Sequence, residues 1–172
     1  MKNQNGFSLI ELLIVVVIIG IIAAIAIPNL LASRRAANEG STISALRTLA
    51  GAQAAYASTY GNGEYAGAPY GLDGLVMTQL GATNLIDATF ASGTKGGYVF
   101  TGGTTNRSGS PLASYCIRSI PTTNSGLSAT GTRCFGIATD GVVMTNTASS
   151  VANCGCSING VEFVDRSSPL DN

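Results

Sequence analysis

Apolar positions are spread unevenly along the 172-residue chain. From Leu12 to Ile27 every residue is Leu, Ile, Val, Ala or Gly, and the run stops at Pro28. A helix from Phe7 to Ile27 is roughly 30 Å long at ~1.5 Å per residue, which matches the core of a bilayer. From Asn38 the pattern becomes one-sided. Ile43, Leu46, Ala50, Ala54, Ala57 and Tyr60 recur at three- or four-residue steps, with Leu49 and Tyr56 at the edge of that face. The spacing predicts one long helix from Phe7 to about Tyr60, whose second half packs this face on a sheet. The opposite face carries Ser44, Thr48, Gly51, Ala55, Ser58 and Thr59. Its small residues suit close helix contact, and equally suit a solvated face built from good helix formers. Gly61-Asn62-Gly63 ends the helix. Gly20 and Pro28 are its soft points, and Pro28 predicts a kink because it lacks an N–H and crowds the preceding turn.

Residues Glu64 to Thr94 show little periodicity and read as a connector, with a short helix over Leu72 to Leu80 and a turn over Asn84 to Phe90. Gly93 to Gly97 reads as a loop. Strand patterns then dominate: Gly97 to Thr101, Leu112 to Ile120, Thr132 to Ala138 and Val142 to Thr145 alternate or are rich in β-formers. Asp140-Gly141 is a tight hairpin signal. Alternation puts Tyr115, Ile117, Phe135 and Ile137 on the face toward the helix and Cys116 and Cys134 on the other. The expected architecture is α+β, a long N-terminal helix packed on a four-stranded antiparallel sheet. Ser149 to Asn172 is a tail with strand character at Gly160 to Val164.

Composition narrows the function. Charged residues make up 10% of the chain, net charge is zero and there is no His. Average soluble proteins carry about 25% charged residues. A surface of small neutral groups suits a secreted polymer. Zero net charge gives no bulk attraction to nucleic acid, so no nucleic-acid partner is expected, and Arg107, Arg118 and Arg133 are read as solvated surface. The lack of His removes the commonest general base and imidazole ligand. No catalytic constellation, cofactor motif or metal site emerges, and no enzyme is expected. Asn106-Arg107-Ser108 fits a glycan acceptor, but such triplets arise by chance.

Glu11 stands at the start of the apolar run, where a charge costs on the order of 2–3 kcal/mol and needs a reason. A secretory signal places small residues after its apolar core. Here Met1 to Gly6 is polar with one Lys, and the small residue comes before the core. Cleavage after Gly6 would keep the helix and create a new amine on Phe7, near Glu11.

Gly6-Phe7-Ser8-Leu9-Ile10-Glu11-Leu12-Leu13-Ile14-Val15-Val16 resembles the N-terminal signature of type IV pilins and of the related pseudopilins of type II secretion. The resemblance implies that a membrane-embedded aspartic peptidase cuts between Gly6 and Phe7 and methylates the amine of Phe7. It matches the family's acid to Glu11 and its helix-breaking positions to Gly20 and Pro28, with Ser8 in place of the more frequent Thr. It implies a cleaved leader over 1–6, a transmembrane and filament-core helix over 7–35 and an extracytoplasmic globular domain over 36–172. Partners would be copies of the same chain, the prepilin peptidase/methyltransferase and the inner-membrane assembly machinery. The subunit would sit in the inner membrane before assembly and in a surface filament afterwards. In such a filament the Glu11 carboxylate would pair with the Phe7 amine of a neighbour. In the family the interval between Gly20 and Pro28 can extend on assembly. Lys2 and Arg34-Arg35 by themselves favour the reverse orientation, but long domains translocate largely regardless of nearby charge. The alternatives are a secretion pseudopilin or a minor tip pilin for adhesion or DNA uptake. The major pseudopilin's calcium site has only Glu162, Asp165 and Asp171 as counterparts here, too scattered to form a set.

The four cysteines are Cys116, Cys134, Cys154 and Cys156, and they suit an oxidising compartment. They allow three pairings. Cys116 with Cys134 would link adjacent strands but leave an awkward Cys154-Gly155-Cys156 ring. Alternatively the tail folds back, and each of its cysteines reaches one strand cysteine. This resembles the disulfide-closed tail loop of many pilins, with a second pair as a departure. The C-x-C spacing disfavours zinc.

Overall fold

The structure, a computed structural model, describes residues 7–68, 73–105, 113–147, 156–157 and 162–163. The chain divides into two compact units, Met1–Arg34 and Arg35–Asn172. Helix α1 (Leu9–Thr59) runs through both. In the first unit it is unbroken at Gly20 and at Pro28, where a soft point and a kink are predicted. The side-chain amide of Asn29 donates to the Ile25 carbonyl (3.2 Å) in the turn that Pro28 loosens. An amide there supplies a donor where the ring removes one.

The second unit is α+β. Its sheet has the order β1 (Thr94–Lys95), β2 (Tyr98–Thr105), β3 (Ser114–Pro121), β4 (Arg133–Ala138) and β5 (Val143–Thr147), antiparallel throughout. The sheet is therefore five-stranded rather than four-stranded. The extra strand, β1, lies in the stretch whose glycines read as a loop. Gly93, Gly96 and Gly97 do take positive φ, but Thr94 and Lys95 between them pair with Val99 and Tyr98. Two glycine turns framing two paired residues make a strand too short to show alternation. The Asp140-Gly141 turn forms as its chemistry predicts: Gly141 has φ 74°, and the Asp140 carboxylate accepts from the Val142 N–H (3.0 Å).

Helices α2 (Leu75–Ala82) and α3 (Ala88–Ala91) lie in the connector. Asp87 caps α3 by accepting from the Phe90 N–H at 2.7 Å. Phe90 meets Phe100 of β2 edge-on at 5.0 Å, which joins the connector to the sheet. The core lies between the helices and one face of the sheet. It combines Leu46 and Leu49 of α1, Val76, Met77 and Leu80 of α2, and Tyr98, Phe100, Tyr115, Ile117, Phe135 and Ile137 of the strands. The sheet face predicted toward the helix is therefore the one found.

The helix face is not quite the predicted one. Glu39, Thr42, Ala45, Leu46, Leu49, Ala52 and Gln53 are buried, whereas Ala54 and Tyr60 are exposed. The contact is centred on the side that apolar spacing put at the edge. Polar members make the difference. Gln53 is fully buried because its amide donates to the Ala66 carbonyl and accepts from the Ala66 N–H, each at 2.8 Å. That reciprocal pair removes the desolvation cost of the side chain. The helix closes as predicted: Asn62 and Gly63 take positive φ, and the Gly63 N–H returns to the Ala57 carbonyl.

Leu46 is completely buried at the centre of this layer. Leu46→Ala should destabilise the second unit by about 3 kcal/mol, a drop of roughly 10 °C in Tm. Thermal unfolding of the full chain in detergent, followed through near-ultraviolet tyrosine dichroism, checks it.

Candidate assembly site

In the first unit the large apolar side chains are exposed on every side of the helix. Ile10, Leu13, Val16, Ile19, Ile22 and Leu30 each present half or more of their surface. Burying one such side chain is worth about 1.5–3 kcal/mol, so a continuous sleeve of them is stable only in lipid or against a partner. The helix is long and apolar enough to cross a membrane.

Glu11 sits in the first turn of this sleeve. Its Oε2 accepts from the Ser8 N–H at 2.9 Å, and the Leu12 N–H bonds the Ser8 carbonyl. Ser8-x-x-Glu11 is thus the reaching-back half of a capping box. A carboxylate here also opposes the positive end of the helix dipole. The cap turns Glu11 toward the helix start, beside the exposed Phe7. Gly6 lies outside the described residues. Gly20 has open space around its Cβ position.

A second cluster, in the globular unit, was not singled out from the sequence. Arg35, Asn38 and Glu39 occupy one face of α1 and hold the β3–β4 loop. The Arg35 guanidinium donates to the Gly126 carbonyl and the Asn38 amide to the Thr130 carbonyl, both at 2.9 Å. Glu39 is buried. Its Oε1 accepts from the Thr132 N–H (3.0 Å), the Thr132 hydroxyl (3.1 Å) and the Arg133 N–H (3.3 Å). Its Oε2 takes the Arg133 guanidinium through Nε at 2.8 Å and Nη2 at 2.7 Å. Burial works against the charged form, but the Thr132 backbone bond and the Arg133 contacts outweigh it, and the Glu39 pKa lies below its ordinary value. The same charge, added to burial, raises the Tyr98 pKa. Tyr98 donates to the Arg133 carbonyl at 2.9 Å and packs against Gly131, where any side chain would collide with its ring.

The arginines do not form a group. Arg133 is drawn to Glu39, whereas Arg118 points to the other face and donates to Thr101 at 2.9 Å. Arg107 and the Asn106-Arg107-Ser108 triplet lie outside the described residues. Cys116 and Cys134 are buried on the sheet face away from α1, as alternation predicts, and both are disulfide-bonded. Cys156 belongs to β6 (Cys156–Ser157), which pairs with β7 (Glu162–Phe163) inside the stretch predicted as strand. Cys154, Asp165 and Asp171 lie outside the described residues. Among the described residues no cluster of His, Cys, Asp or Glu could hold a metal ion.

Comparison with known proteins agrees with the helix. Residues 1–27 match the family described as the prokaryotic N-terminal methylation motif. The type IV wide pilus major component PilA4 of Thermus thermophilus is 64% identical over 39 residues, 23% of this chain and 30% of that protein. The type II secretion system core protein G of Klebsiella pneumoniae is 36% identical over 76 residues, 44% of this chain and 53% of that protein. A fimbrial protein of Pseudomonas aeruginosa is 55% identical over 53 residues, 29% of this chain and 34% of that protein. The chain spans about half or less of the length of these relatives. No solved structure matches. The chain carries the methylation motif and is a relative of type IV pilins and secretion pseudopilins.

The Glu39 cluster generates a prediction with a definite sign. Its folded-state pKa is depressed below 4.5, so its contribution is present above that pH and is lost as pH falls through the folded value. Unfolding of the full chain should become easier on acidification below this range, and Glu39→Gln should shrink the difference between neutral and acidic pH. Glu39→Ala should cost about 2 kcal/mol at neutral pH by leaving buried donors unpaired.

Proposed function

We propose that the chain is a structural subunit of a type IV pilus. It polymerises through its N-terminal hydrophobic helix into a cell-surface filament, after cleavage between Gly6 and Phe7 and N-methylation of Phe7. The observation that carries this reading is the sleeve of apolar side chains exposed around the helix in the stretch that matches the methylation motif. Such a surface needs lipid before assembly and other helices afterwards. The partners on this reading are the prepilin peptidase/methyltransferase, the inner-membrane assembly machinery and further copies of the chain. The C-terminal unit lies outside the cytoplasm. No enzymatic role is assigned.

Glu11 supplies axial register. Its carboxylate, aimed at the helix start by the Ser8 cap, is positioned to meet the methylated ammonium of Phe7 from a neighbouring subunit. In a low-dielectric bundle an unpaired carboxylate is costly and a paired one is favoured, so subunits align acid to amine. Gly20 and Pro28 are the positions at which the helix can yield when packed.

A secretion pseudopilin is the second reading. The core protein G match supports it, since it extends over 76 residues. The experiment is to shear the native host and analyse released material by intact mass and N-terminal sequencing. The pilin reading expects abundant extracellular fibres of a chain that starts at methylated Phe7. Mature chain found only in the cell envelope supports the pseudopilin instead. Glu11→Ala should abolish fibres while leaving leader cleavage intact, and normal fibres from that variant would sink the assembly role.

A further inference from the structure

We propose that the C-terminal tail is fastened to the outer face of the sheet by two disulfides, Cys116–Cys156 and Cys134–Cys154. The proposal is independent of the pilin reading. The chain has four cysteines, and both Cys116 and Cys134 are oxidised. The register forbids a bond between these two. Cys116 stands opposite Ala138, and Cys134 is four positions from Ala138 (138 − 134) on the same strand. Four positions are about 13 Å along a strand, whereas bridged Cα atoms lie within about 7 Å. Each must therefore take one of the remaining two cysteines.

The fold also selects which. Strand β6, which contains Cys156, lies against β3, which contains Cys116. Cys156 therefore goes to Cys116, and Cys154 is left for Cys134. Chain length permits this. Residues two apart span at most about 7 Å, and each bridge adds about 5.5 Å between Cα atoms. Leaning outward in opposite directions, the two bridges cover the gap only if the Cys154-Gly155-Cys156 backbone comes close to the sheet between its anchors. The rung midway is Arg118 opposite Gly136. Gly136 has no side chain, and Arg118 is held aside by Thr101, so that rung offers an open floor. Gly136 and Ala138 are buried although both face away from α1, as covering by the tail requires.

Each bridge forms when two thiols lose two protons and two electrons to an incoming disulfide. The oxidant is a thiol–disulfide oxidoreductase of the oxidising compartment, which is left reduced as a dithiol. The test uses the full chain, alkylated before purification and digested unreduced with trypsin and chymotrypsin. Cleavage after Tyr115 and Arg118 isolates Cys116, cleavage after Arg133 and Phe135 isolates Cys134, and Cys154 and Cys156 stay on one peptide. The expected product is a three-peptide species. Partial reduction and alkylation should release the Cys134 fragment together with a modified Cys154. A two-peptide species joining Cys116 to Cys134, a thiol alkylated in the native chain, or the crossed pairing each overturns the assignment. As a second arm, Cys156→Ser should expose one reactive thiol, at Cys116, and label at Cys134 instead would refute it.

Discussion

One helix has to satisfy two environments, and the rest of the molecule follows from how it does so. Up to Leu30 its apolar side chains are exposed on all sides; from Glu39 it buries one face and shows the other to solvent. The change occurs within a few turns, with no break in the backbone. In the second stretch the buried face is filled by α2, α3 and the inner side of the sheet, which gives that unit a core of its own. The first stretch has no core of its own, so its stabilisation must come from outside the fold. This asymmetry separates the part of the chain that specifies a domain from the part that specifies an assembly.

Much of this was legible in the amino-acid pattern, for physical reasons. An uninterrupted apolar run and a clean two-residue alternation are strong signals because each follows directly from backbone geometry. Tyr115, Ile117, Phe135 and Ile137 could be assigned to the inner face on that ground alone. The helix face was read with a small rotation because only apolar residues were counted. Admitting polar members, Glu39, Thr42, Leu46, Leu49, Gln53 and Tyr56 recur at alternating steps of three and four. Glu39 and Gln53 are buried because loops distant in sequence supply their partners, Thr132 and Arg133 for one and Ala66 for the other. No local pattern encodes those partners. Strand β1 was missed for another reason: two paired residues between glycines are too short to show a period.

The polar junction around Glu39 and the capping turn at Glu11 use the same chemistry in opposite settings. Both carboxylates accept from backbone N–H groups. Glu39 is also matched by a guanidinium within its own domain, so its charge is spent on fixing a loop. Glu11 has a local backbone partner at the start of a helix that is apolar all round. A charge in that position is worth most when it meets an opposite charge in a medium that screens weakly.

The brevity of β1 bears on life in a crowded array. A chain meant to be packed in many copies risks pairing through the open margin of its sheet, because unpaired N–H and C=O groups template further strands. Here that margin is two residues long, and its Lys95 is paired with Asp87 and lies over the Phe90 ring. Such a stub gives a neighbouring strand little to zip onto. Cross-β growth is thereby discouraged along this border, and ordered polymerisation is left to the helix.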